Sequence, residues 1–197
     1  IGLTYANGPL NLAAVVDQTN FSTTKWNGVD WGNPVDDALT VTVGGNYDFQ
    51  VVKLYAGAQY FDNADLNSID NIFSKDFALS PAQTERFQVK GYGLTIGADI
   101  PAAGGTFKVA TSYLDGTIDT VNGWDMATAI GATFGEIDIS RWNTSAGYLY
   151  SLSKRTSLYG VASYSYQTVK GQKDFNGYSL DVAPTIIEVA AGIVHKF

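Results

Sequence analysis

Along most of this chain apolar and polar residues alternate with period two, in segments of roughly ten residues bounded by Gly, Pro, Asn and Asp. The pattern predicts nine strands, at 1–6, 9–17, 38–46, 50–60, 85–99, 105–114, 141–151, 156–167 and 186–197. Their connections alternate strictly in kind. NGP, NYDFQ, PAAGG and LSKRT are short, whereas 18–37, 61–84, 115–140 and 168–186 are long and polar. In the short ones Gly supplies positive φ and Pro fixes φ. Soluble sandwiches seldom alternate tight and long connections so regularly; transmembrane barrels do, with short periplasmic turns and long extracellular loops. The expected fold class is all-β, a transmembrane antiparallel β-barrel, with residues 1–197 as one domain.

The two faces of each strand differ. In 50–60, Val52, Leu54, Ala56, Ala58 and Tyr60 form one side and Val51, Lys53, Tyr55, Gly57 and Gln59 the other. Tyr92, Leu94, Ile96, Ala98 and Ile100 repeat the apolar side, as do Phe107, Val109, Thr111 and Tyr113 against Lys108, Ala110 and Ser112. A soluble sandwich gives the same alternation with its faces exchanged, so period alone does not choose. Aromatic placement does: Tyr5, Tyr60, Tyr92, Tyr113, Trp142, Tyr148, Tyr150, Tyr164 and Tyr166 lie mostly towards strand ends on the apolar side, as interfacial girdles require.

Composition narrows the classes. The 197 residues include no Cys, so disulfides and thiolate sites are excluded, and 21 Gly, 12 Tyr and 10 Phe accompany one Met and one His. A net charge of −7 argues against a nucleic-acid partner, which needs a basic face. The acidity is local: the four long connections hold 14 of the 19 acidic residues, and everything else carries a net charge of +3. No apolar run approaches the roughly 18 residues of a membrane helix. The opening IGLTYANGPL lacks the basic start and apolar centre of a secretory signal.

LSKRTSLYGVASYSY followed by a last strand ending AAGIVHKF resembles the C-terminal region of Gram-negative porins of the β-proteobacterial and neisserial type, and IGLTYANGPLNLAAVVDQ is similar to a hairpin from the middle of that family. The resemblance implies the C-terminal half of a 16-stranded barrel, homotrimeric, with a water-filled lumen narrowed by an inward-folded loop outside this sequence. Nine strands with a periplasmic C-terminus put Ile1 at the extracellular end, so earlier strands are expected to precede it. The resemblance also makes the last strand, with Val189, Ile193, His195 and Phe197, the segment read by the outer-membrane assembly machinery, with outer-membrane lipid and lipopolysaccharide as surroundings; alternatively Phe197 merely closes a strand edge.

The expected function is an outer-membrane channel for passive diffusion of small hydrophilic solutes and ions. Lys53, Lys108, Lys196, Asp17, Asp99, Glu188 and Gln59 fall on the polar side and are the expected pore lining. There they either steer ions or serve as any polar wall residue would. Acidic loops over the mouth would enrich cations within a Debye length of about 8–10 Å, whereas a basic constriction below them would select anions, and the sequence leaves the sign open. No enzyme is expected: His195 lies on the apolar side, and no GxSxG, HExxH or phosphate loop follows a strand. DNADLNSID lacks the glycine and glutamate of an EF-hand, leaving a solvated acidic loop, or weak divalent binding as the alternative; no metal or cofactor is expected. The glycines of GYGLTIG read as small wall positions. Residues 126–139 (MATAIGATFGEIDI) break the polar-loop rule, as a folded-over loop or an extra hairpin. Two other readings stay open: a soluble or surface-attached β-domain that binds glycan or protein through Trp26, Trp31 and Trp124, and a barrel that only anchors.

Overall fold

The structure, a computed structural model, describes residues 1–20, 25–26, 29–30, 36–65, 88–119, 136–171 and 180–196. The strands are β1 (Gly2–Asn7), β2 (Leu10–Thr19), β3 (Lys25–Trp26), β4 (Val29–Asp30), β5 (Ala38–Asp48), β6 (Lys53–Asp65), β7 (Gln88–Ala102), β8 (Gly105–Asp119), β9 (Glu136–Ser151), β10 (Thr156–Gly171), β11 (Leu180–Val182) and β12 (Thr185–His195). All but β3 and β4 lie in one antiparallel sheet, ordered β1-β2-β5-β6-β7-β8-β9-β10, with β11 and β12 both on β10. β11 and β12 are one strand position broken at Ala183 and Pro184, where proline has no N–H to give the ladder. The Pro184 carbonyl still accepts the Gln167 N–H at 3.1 Å. The sheet therefore has nine strand positions, and β3 and β4 add a small hairpin inside the expected loop 18–37.

The short connections explain the register. Ala103 and Gly104 have φ of 49° and 78°, the double positive φ of a type I′ hairpin whose twist matches its strands. That two-residue turn pairs Ala102 with Gly105 and so sets Asp99 opposite Lys108. Between β5 and β6, Gln50 has φ 70° and its N–H donates to Asp48 Oδ1 at 2.7 Å, so residues 50–52 belong to the turn, not to the strand expected there. Between β9 and β10, Ser153 Oγ accepts the N–H groups of Arg155 and Thr156 at 3.1 and 3.0 Å.

At the long-connection side the strands run further than the period predicts. β6 reaches Asp65, β8 Asp119 and β10 Gly171, and β9 begins at Glu136, so the end of the 126–139 stretch is strand and its residues 126–135 lie outside the described ones. Several acidic residues assigned to loops, among them Asp62, Asp115, Glu136 and Asp138, are thus on strands. β1 pairs only with β2 and β12 only with β10, so the sheet is open among the described residues. Both edges run towards the short-turn side, which makes them parallel to each other.

Candidate functional site

Directly opposed residues in a sheet share a face. One transverse row is Leu54, Ala98, Val109, Ala146, Ala162 and Val189, and a second is Leu94, Tyr113, Trp142 and Tyr166. The apolar face is open, with Leu94 and Ile96 51% and 61% exposed and Ile187 and Val189 72% and 78%. A sandwich would cover such residues with a second sheet. Exposed apolar area of this extent marks a surface that meets something other than water.

Aromatic rings bound this face on two sides. Towards the long connections lie Tyr60, Tyr92, Tyr113, Trp142, Tyr164 and Tyr166, with ring centroids 6.4 Å apart for Tyr92 and Tyr113 and 5.9 Å for Tyr113 and Trp142. Towards the short turns lie Tyr5, Tyr47, Phe107, Tyr148 and Tyr150, with Tyr148 stacked on Tyr150 at 6.4 Å. Polar tips point away from the middle: Tyr113 donates to Asp115 Oδ2 at 2.9 Å and Tyr148 to the Ala102 carbonyl at 2.8 Å. From Trp142 to Tyr150 the chain advances about 26 Å along the strand, or about 20 Å along the normal for a strand tilted by about 40°. With the rings added, that spacing matches an apolar band of about 25 Å.

Beyond the first aromatic band the faces exchange character. Asp62, Lys90, Thr117, Asp138 and Lys170 continue the formerly apolar side, with Lys90 Nζ 3.5 Å from Asp62 Oδ1. The formerly polar side becomes a packed cluster of Phe61, Ala64, Val89, Ile118, Ile137, Ile139 and Val169, all buried. Val89, Ile118 and Ile137 form one row and Ile139 and Val169 the next. A bulge at Asn63 (φ 53°) puts Phe61 and Ala64 on the same side, and the Phe61 ring lies against Gly116, whose missing Cβ would be 3.6 Å from Cε2. Gln88 ties the bulge down: its amide donates to the Asn63 and Asp36 carbonyls at 3.1 and 2.5 Å, and its oxygen accepts the Asp36 N–H at 2.8 Å.

Of the expected lining residues, the structure brings together Lys53, Asp99 and Lys108, in a row that Asp48 extends at one end. Lys108 Nζ is 2.5 Å from Asp99 Oδ2, Tyr55 donates to the same oxygen at 3.0 Å, and Lys53 Nζ lies 5.6 Å from the Tyr55 ring centre. Gln59 donates to Thr42 Oγ1 at 3.1 Å, further along the same face. Glu188 accepts from Ser163 at 3.4 Å, and Asp17 sits opposite Thr40; neither joins the Lys53 group. Lys196 follows β12, and its N–H donates to the Arg155 carbonyl. Asp48 and Asn143, which donates to Ser165 Oγ at 2.6 Å, were missed among the polar-face residues, their signal being strand parity with Asn46 and Arg141, while Tyr55 was placed on that face without a role. On the last strand His195 Nδ1 is 2.9 Å from Thr156 Oγ1 and Ile193 is exposed; Phe197 and residues 66–70 of DNADLNSID lie outside the described residues.

An exposed apolar face between aromatic bands, backed by a polar one, is the wall of a membrane barrel, and the model of the Gram-negative porin family matches residues 1–172. The chain belongs to the Gram-negative porin family. This porin is 30% identical over 197 residues, the whole chain, to an outer membrane porin protein of Bordetella pertussis. It spans 45% of that relative's length. No solved structure matches the chain. The porin is a protein of the bacterial outer membrane, and its antiparallel sheet is barrel wall.

Proposed function

We propose that this porin forms a water-filled channel through which small hydrophilic solutes and ions diffuse passively, without enzymatic activity or cofactor. One observation carries the reading: the face opposite the exposed apolar band holds Lys53, Asp99, Lys108, Gln59 and Glu188, and charges are tolerated within a membrane barrel only where water reaches them. A wall whose two edges run parallel closes in an all-antiparallel barrel only with an odd number of further strands. The 16-stranded trimer that the family resemblance implies meets that condition, and a barrel of that size encloses water.

In this reading Tyr92, Tyr113, Trp142, Tyr164 and Tyr166 meet one membrane interface and Tyr148 and Tyr150 the other. Lys90 and Lys170 stand just above the first, where they reach the phosphates of lipopolysaccharide. Val189, Ile193, His195 and Phe197 serve recognition by the assembly machinery. Stepwise conductance of the full-length protein in planar bilayers tests the proposal, and an intact, heat-modifiable barrel without conductance would leave an anchoring role instead. The glycan- or protein-binding reading through Trp26, Trp31 and Trp124 requires solubility without detergent, which the open apolar face opposes.

A further inference from the structure

On the polar face near the short turns, a trough of about 400 Å³ runs between Tyr55 of β6 and Tyr159 of β10. Its floor includes Gly97 and Gly147, where no side chain stands between a guest and the backbone, and Lys108 and Asp99 line it. We propose that this trough is a binding station for small carboxylates with a flat apolar body, the Lys108 ammonium taking the carboxylate and a tyrosine ring at the trough's side lying against the body. The proposal rests on the channel reading for its access from water.

The chemistry of the wall selects that class. Asp99 already shows Lys108 in a carboxylate contact, and half of the lysine side chain is exposed (48%), so it can turn to a guest. Exposed ion pairs in water are weak, so exchange costs little. Asp99 keeps a partner when Lys108 leaves, because Tyr55 donates to the same carboxylate oxygen. Lys53, one strand from Asp99 and held over the Tyr55 ring, stands between Asp99 and Asp48, so its charge is offset within the row and Lys108 is the cation left to the guest. Tyr159 is 38% exposed and so offers ring surface to a guest. Among the trough's lining residues the carboxylate is Asp99, which is already engaged twice, and Asp48 stands beyond Lys53 at the end of the row.

Fluorine NMR titration of 4-fluorobenzoate against the full-length porin in detergent reads the station without conductance, and benzoate block of the potassium chloride current in planar bilayers reads it within the channel. Saturable binding in the millimolar range is expected. Lys108→Met should weaken it about tenfold, the loss of one charge-assisted hydrogen bond, and Tyr159→Ala should weaken it less. Asp99→Asn should tighten it, because the internal competitor is gone; a residue that only props the wall would weaken it. Non-saturable partitioning equal in wild type and Lys108→Met, or weakening by Asp99→Asn in a protein that still migrates as a folded barrel, would overturn the proposal. Saturable binding without current would sink the channel reading and keep the station.

Discussion

Replacing Phe61 by alanine separates two kinds of environment on one strand. Phe61 is 2% exposed, packed over Gly116 at the level where the strands have passed the aromatic band, while its neighbour Tyr60 is 41% exposed on the other face. A buried Phe hides roughly 150–250 Å², worth about 4–6 kcal/mol at about 25 cal/mol/Å². Partial collapse of the site recovers some of this, so Phe61→Ala should cost about 3–5 kcal/mol. Tyr60→Ala should cost less, since much of its ring is already open. The assay is reversible folding of the full-length porin into lipid vesicles, followed by heat-modifiable migration across a denaturant series, with the midpoint shift multiplied by the slope. A loss below about 1 kcal/mol for Phe61→Ala, or an equal loss at Tyr60, would refute the packed cluster.

Three further outcomes follow from the wall. Ile96→Lys places a charge in the middle of the apolar face and should cost about 2–4 kcal/mol in the same folding assay, whereas Thr95→Lys, on the opposite face, should cost under about 1 kcal/mol. Ala103→Asn relieves a side chain poorly suited to φ 49° in the hairpin turn and should stabilise by about 0.5–1 kcal/mol; a loss would show that the turn is not held in that conformation. Tyr148→Phe removes the one O–H that the Ala102 and Ala103 carbonyls share and should cost about 0.5–1.5 kcal/mol by the same midpoint measurement.

Strand number, connection kinds and the two faces were legible because period two and turn chemistry are local. Strand ends were not, and the reason lies in the phase of the apolar positions. In β8 the apolar residues are odd-numbered up to Tyr113 and then even-numbered at Leu114 and Ile118; in β9 Ile137 and Ile139 give way to Trp142 and Tyr148. A change of phase looks like the end of a strand, yet here the strand continues and its surroundings change, from an apolar band to a polar one on the outside. In β6 the Asn63 bulge shifts the phase itself. The charged row was half legible: a two-residue turn at Ala103 and Gly104 fixes Asp99 opposite Lys108, but Lys53 joins only through the β6–β7 register across a long connection. The role of Tyr55 depends on a hydrogen bond to a residue 44 positions away, which no local pattern carries.

The chain contains no cysteine, so single cysteines report one position each. Fluorescent labels at Leu54→Cys and Leu94→Cys, and at Lys53→Cys and Lys108→Cys, can be exposed in reconstituted vesicles to brominated lipid or to an aqueous quencher. Quenching of the first pair by lipid and of the second pair by the aqueous reagent alone is the expected result. Labels at 54 and 94 shielded from both, or labels at 53 and 108 reached by lipid, would contradict the assignment of the two faces.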